Sequence, residues 1–249
     1  MEPSPDLLVN PIVHTNTSGT TRSLLSRTFT LGGSSAQDGD SGPKGPPGPT
    51  TLHVPSGRDP AVADIIFVHR LNGGSQSTWT KGGSASNFWP REWLPRDTAF
   101  QDVRIHSFGY PKALSRKSIL NVADFARSLL AAVKESPVKT LGNQPRIIFS
   151  HSMGGLVVKK ALILAHQEHG LQPTSQRICS LFFLATLHNG AAIAQTIARL
   201  LTMVGASPFV DDLFPQSPLL QAIREDFPLH NAITPKSSSC RSMKSRPRA

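Results

Sequence analysis

The sequence predicts an α/β fold, a parallel sheet with helices on both faces, and three observations predict it. Short apolar runs alternate with stretches of helical period between Ala61 and about residue 230. Two of those runs, Asp64–His69 (DIIFVH) and Ile178–Thr186 (ICSLFFLAT), read as apolar strands, the second as fully buried. Between them Pro145–Lys160 (PRIIFSHSMGGLVVKK) passes from a β-type run directly into a helical pattern through two small residues around a histidine. Parallel strands need such crossovers, and ligands in these sheets bind beyond the carboxyl ends of the strands.

Composition bounds the rest. With 249 residues, 38% hydrophobic and 17% charged, the chain can bury one good core. Its formal charge of +10 is unevenly spread: residues 236–249 carry five basic and no acidic side chains, half of the excess. The remainder is scattered without interleaved aromatics, so no nucleic-acid partner is expected, while weak attraction to anionic headgroups is compatible. The two cysteines, Cys179 and Cys240, lie far apart and suggest neither a disulfide framework nor a metal cluster. A reducing, intracellular, cytoplasmic setting follows as the expectation. The start MEPSPDLLVN is no signal peptide, and no apolar run is long enough to span a membrane.

In chain order, residues 1–60 read as a disordered low-complexity leader dominated by Ser, Thr, Gly and Pro, with too few Gly-x-y triplets for collagen. Residues 61–230 form the expected domain. Its first strand, Asp64–His69, runs into the glycine-bearing turn Arg70–Gly74. Trp79–Asp97, with three tryptophans, reads as a loop whose aromatics line an acyl pocket or cover the sheet. Val103–Phe108 alternates with period two and predicts a strand, and Gly109-Tyr110-Pro111 a turn. Ser118–Lys134 carries a helical stripe (Ile119, Val122, Phe125, Leu129, Val133) behind a serine cap. Leu156–His166 and Ala191–Val204 predict two further helices, and residues 231–249 a disordered basic tail.

Ser152 stands at the strand–helix junction. In a nucleophile elbow a strand turns sharply into a helix, small neighbours let the backbones approach, and the serine hydroxyl is presented above the sheet edge. Ser150, Ser152 and Gly154 fill that pattern, with a serine at its first glycine position. A Gly-rich turn that merely packs tightly is the plainer alternative. On the elbow reading, two backbone N–H groups form an oxyanion hole: Leu71, in the turn after the early strand, and Met153, after the serine. Gly73 and Gly74 are no phosphate loop, since no Gly-Lys-Ser/Thr follows, and no cofactor or metal is expected.

Six blocks in order, DIIFVHRLNGG, TWTKGG, FWPREWLP, SFGYP, SHSMGGLVVKKAL and FFLATLHNGA, resemble the lipase-like serine esterases of the α/β-hydrolase fold over about residues 61–230. In fungal proteins such domains often precede nucleotide-binding or repeat modules, and one branch is linked to phosphatidylglycerol remodelling. The resemblance implies an ester as substrate, with lipid esters among the candidates, and peripheral association with mitochondrial or endoplasmic reticulum membranes. The family has HGLGG at His69–Gly74, GHSLGG at Ser150–Gly155 and GTPHRG at Ala185–Gly190, so Arg70, Ser150 and Ala185 each replace a glycine.

A serine needs a histidine to take its proton and a carboxylate to orient that histidine, and in this fold both follow the nucleophile. The chain ends soon after Pro218–Phe227, so the strands that usually bear them are expected to be missing and the sheet incomplete at its C-terminal edge. Within the chain His188 is the candidate base, or a loop histidine that fixes its own turn. Asp211 is the candidate acid, or with Asp212 a helix cap; Asp226 comes later still. His151, beside the serine on a tight turn, cannot easily reach round to it. Two functions stand: a serine ester hydrolase, and a non-catalytic remnant or interaction module. An uncovered sheet edge further predicts a partner or self-association.

Overall fold

The computed structural model describes residues 44–57, 61–71, 73–110, 120–135, 144–186, 213–214 and 216–233, all within one compact unit, Asp38–Ala249. Five strands form one sheet in the order β1-β3-β2-β4-β5: β1 Gly48–His53, β2 Ala63–Val68, β3 Val103–Gly109, β4 Arg146–His151 and β5 Ile178–Leu184. Strands β3, β2, β4 and β5 are parallel, as the alternating pattern predicts. Strand β1 is antiparallel to β3 and corrects the expected leader: the ordered sheet begins before Ala61. Its Gly-Pro-rich sequence hides it, because an edge strand tolerates Pro49 and is held mainly by its neighbour's backbone. Thr51 also shares a 3.1 Å hydrogen bond with Nδ1 of His106 in β3.

Alternation along each strand sorts the side chains onto two faces. Ile66, Val68, Phe108 and Ile148 point to one face, where they pack with α2 (Val122–Glu135), α3 (Met153–Gln167) and a helix over Pro218–Ile233. Ile65, Phe67, Val103 and Ile105 point to the other, where Trp79, Phe88 and Trp89 cover them. The tryptophan-rich stretch thus covers the sheet, in 3-10 turns and the one-turn helix α1 (Trp89–Glu92). Phe67, Phe149 and Phe182 stack in register across β2, β4 and β5 on this face, with centroids 5.2 and 4.4 Å apart.

Two elements differ from expectation in instructive ways. Helix α2 opens at Asn121: its Oδ1 accepts the Asp124 N–H at 3.0 Å while Asp124 Oδ2 accepts the Asn121 N–H at 2.9 Å, a reciprocal cap. The expected cap, Ser118, lies outside the described residues. Strand β5 is half covered rather than fully buried, since Phe182 and Leu184 are 46% and 40% exposed. It is the last strand of the described sheet, so nothing there flanks it on its outer side. Cys179 in β5 takes part in a disulfide, which the spacing of the two cysteines does not suggest. The expected helix Ala191–Val204 lies outside the described residues. We label the short turn Gln172–Ser175 α4 and the final helix α5.

Candidate active site

At the carboxyl end of β4 the chain turns into α3 at one residue, Ser152, whose φ of 51° and ψ of −121° are costly for any residue with a Cβ. Three hydrogen bonds hold it there. Its N–H donates to the Leu184 carbonyl at 2.8 Å, and its carbonyl accepts from the Gly155 N–H at 3.0 Å and from Thr186 Oγ1 at 3.2 Å. The end of β5 therefore fixes the turn from outside. Ala185, between those two anchors, also has a positive φ, 50°.

Glycine is required on the other side of the turn. A Cβ on Gly154 would lie 2.5 Å from the His69 carbonyl oxygen and 2.7 Å from that of Val68, both backbone atoms that cannot swing away. One on Gly155 would collide with the Thr186 side chain. These contacts bring the start of α3 against the end of β2. Ser150, at the position where the family pattern has glycine, is fully buried, and its Oγ donates to the Phe182 carbonyl at 3.3 Å.

The turn after β2 is braced by His69, a residue to which no sequence pattern assigns a role. Nε2 of His69 accepts the Tyr110 N–H at 3.1 Å, so the proton of the neutral ring sits on Nδ1, which donates to the Arg70 carbonyl at 2.7 Å. That same carbonyl accepts the Gly73 N–H at 3.2 Å and closes a turn. The Tyr110 hydroxyl donates to the His69 carbonyl at 2.7 Å, and the two rings stack with centroids 3.8 Å apart. Burial raises the Tyr110 pKa, with the Arg70 cation opposing it weakly, so the phenol keeps the proton it donates. Leu71 follows, its side chain buried in the core. Among the described residues neither the Leu71 N–H nor the Met153 N–H donates a hydrogen bond. The Met153 group is one of the orphan donors that open a helix.

Of the expected site residues, Ser152, Leu71 and Met153 come to this one edge of the sheet, while His188 and Asp211 lie outside the described residues. His69 and His151 are the described histidines nearest Ser152 along these elements, and neither is placed as its base. Both nitrogens of His69 are occupied. His151 points to the tryptophan-covered face, edge-on to Trp79 with ring centroids 6.3 Å apart, and its buried Nδ1 has no partner among the described residues. Burial first, then the Arg70 cation, lowers its pKa. A sequence signal for the brace existed: His69 directly precedes the Arg70–Gly74 turn, and Tyr110, the single tyrosine of the chain, directly follows β3.

No family model matches the chain. Protein SERAC1 of Mus musculus is 30% identical over 191 residues, which span 68% of this chain and 28% of that protein. SERAC1 of Danio rerio is 30% identical over 193 residues with the same coverage, and that of Homo sapiens 29% over 191. The chain thus spans a little over a quarter of the length of these relatives, 28%. Among solved structures, the lipase BlEst2 of Bacillus licheniformis superposes with a TM-score of 0.52 at 21% identity, covering 78% of this chain and 70% of that one. That likeness shows the fold. The chain is thus a relative of SERAC1 over the matched stretch, and its architecture is that of the α/β-hydrolases.

Proposed function

We propose that the chain is a serine ester hydrolase in which the β4–α3 turn is a nucleophile elbow and Ser152 the nucleophile. The observation that carries this reading is the backbone of Ser152, held at positive φ at the mouth of a helix by bonds from β5. Strain of this kind costs about 1–3 kcal/mol and persists where the surroundings over-determine it, characteristically at functional sites. In the reaction Ser152 Oγ bonds to the ester carbonyl carbon while its proton passes to a base. The carbonyl electrons move onto oxygen, where the Leu71 and Met153 N–H groups receive the charge. When the carbon–alkoxide bond breaks, the alcohol leaves with the proton from the base, and water then releases the acid from Ser152. For base and acid within this chain, His188 and Asp211 are the residues to test. The lipase-like family supports a lipid ester as substrate.

A fluorophosphonate probe reads the nucleophile without knowledge of the substrate. Labelling of the wild-type chain at Ser152 is expected and should be lost in Ser152→Ala, which has no hydroxyl to phosphonylate. His188→Ala should then abolish the difference. The occupied nitrogens of His69 and the packing of His151 against Trp79 favour a second reading, an interaction module that keeps the elbow without its proton transfer. Equal labelling of wild type and Ser152→Ala would establish it.

The same reading extends to the β5 edge, whose exposed Phe182 and Leu184 support association with a partner or second copy. A monodisperse monomer in sedimentation at all concentrations would refute self-association. No helix among the described residues is long and apolar enough to cross a membrane. Peripheral attachment at a mitochondrial or endoplasmic reticulum surface rests on family likeness, and vesicle flotation tests it.

A further inference from the structure

We propose that Tyr110 is a positioning residue for the Leu71 oxyanion donor; this rests on the hydrolase reading above. Tyr110 lies 39 positions beyond Leu71 in sequence, at the end of β3, yet it controls the turn through His69 at three points. Its hydroxyl donates to the His69 carbonyl, its N–H donates to His69 Nε2, and its ring stacks on the imidazole. The N–H bond fixes the tautomer, and only that tautomer places a donor at Nδ1 for the Arg70 carbonyl. The Arg70 carbonyl is bonded to the peptide plane that carries the Leu71 N–H, since both groups belong to the Arg70–Leu71 amide. Fixing that oxygen therefore fixes the direction of the Leu71 N–H on its opposite side. The second donor to the same oxygen, Gly73 N–H at 3.2 Å, sharpens the aim.

The His69 carbonyl also lies where Gly154 of α3 approaches it most closely. The Tyr110 hydroxyl thus ties the Leu71 turn to the start of the helix that supplies Met153, and sets the spacing of the two donors. Behind Tyr110, Phe125 of α2 stacks at 4.9 Å and prevents the phenol from retreating. Both residues of the brace are buried, Tyr110 5% exposed and His69 2%, while Arg70 is half-buried.

The test is Tyr110→Phe, which keeps both ring stacks and the backbone N–H and removes the hydroxyl alone. Fluorophosphonate inactivation separates probe affinity from the maximal rate of bond formation. A maximal rate about tenfold lower with an unchanged half-saturating concentration is expected, because a misaimed oxyanion donor weakens only the transition state. A merely structural tyrosine would lower thermal stability and leave the maximal rate of folded protein unchanged, and that result overturns the proposal. Hydrogen exchange supplies an arm independent of catalysis: the peptide containing residues 70–73 should exchange faster in Tyr110→Phe while α3 keeps its protection. Unchanged exchange in that turn also overturns it. If wild type and Ser152→Ala label equally, the hydrolase reading fails, and the exchange experiment alone decides whether Tyr110 holds the turn.

Discussion

The two ends of the central strands are built on opposite principles. At the amino ends of β2, β3 and β4 charge is buried and bonded. The fully buried Asp64 accepts two bonds from Arg104, at 2.7 and 3.0 Å, and one contact at 3.2 Å with His106 Nε2. Register places Arg104 beside Asp64 on one strand and Arg146 beside it on the other. Burial lowers the Arg146 pKa to about 10, opposed by the attraction of Asp64 and aided by Arg177 and Arg104. At the carboxyl ends the arrangement is reversed: two non-glycine residues at positive φ, Ser152 and Ala185, and backbone N–H groups without hydrogen bonds among the described residues. One end bonds its polar groups across strands in register; at the other, the Leu71 and Met153 N–H groups make no hydrogen bond among the described residues. The lesson is that one sheet concentrates its buried charge at one end and its strained backbone at the other, each held by its own local bonds.

The comparison can be broken most forcefully at Asp64. Asp64→Asn leaves buried guanidinium groups uncompensated and should lower stability by about 3–5 kcal/mol in urea unfolding. A loss under 1 kcal/mol would mean that the amino end does not anchor the sheet. Between the ends lies Lys159, 4% exposed, its ammonium over the rings of Phe183 and Phe227 at 5.4 and 5.3 Å. Burial lowers its pKa from 10.5 to about 8. Between those values the unfolded chain binds more proton than the folded one, so this group's contribution to stability rises as pH climbs from about 8 to 10.5, by about 3 kcal/mol. Unfolding at pH 7.5 and pH 10, compared with Lys159→Met, isolates it; equal pH dependence in the two proteins would remove Lys159 as the cause.

Smaller effects sharpen the carboxyl end. Gly154→Ala drives a Cβ into two backbone carbonyls and should cost about 1–3 kcal/mol, together with slower labelling at Ser152. Ala185→Gly should instead stabilise, by about 0.5–1 kcal/mol, since relief of the positive φ outweighs the entropy of glycine. Thermal unfolding reads both, and a destabilised Ala185→Gly would show that Ala185 is not strained.

Much of the fold was legible because periodicity reports burial directly. Strands β2, β3 and β4 and the helix after Ser152 follow their hydrophobic patterns to within a few residues, and the Ser150–Gly154 spacing located the strained turn. Strand β1 was not legible, since its six residues carry no apolar alternation and are held by pairing to β3. Nor was the exposure of β5, because Phe182 and Leu184 look like core in a run of apolar residues, and no element among the described residues covers them. His69 looked like the end of one strand and Tyr110 like part of the turn after another, and Asp64 like the polar edge of an apolar strand.

The sequence by itself determined the order of strands and helices, the place of Ser152 at their junction and the need for glycine after it. Local propensity and periodicity act over a few residues, so a few residues suffice to read them. Only the tertiary structure decided that β1 joins the sheet, that Asp64 meets Arg104 and His106, and that Tyr110 reaches back to brace the Leu71 turn. The Asp64 and Tyr110 contacts join positions about 40 residues apart and the β1 pairing still more distant ones, and their partners are chosen by register across strands, which no local pattern encodes.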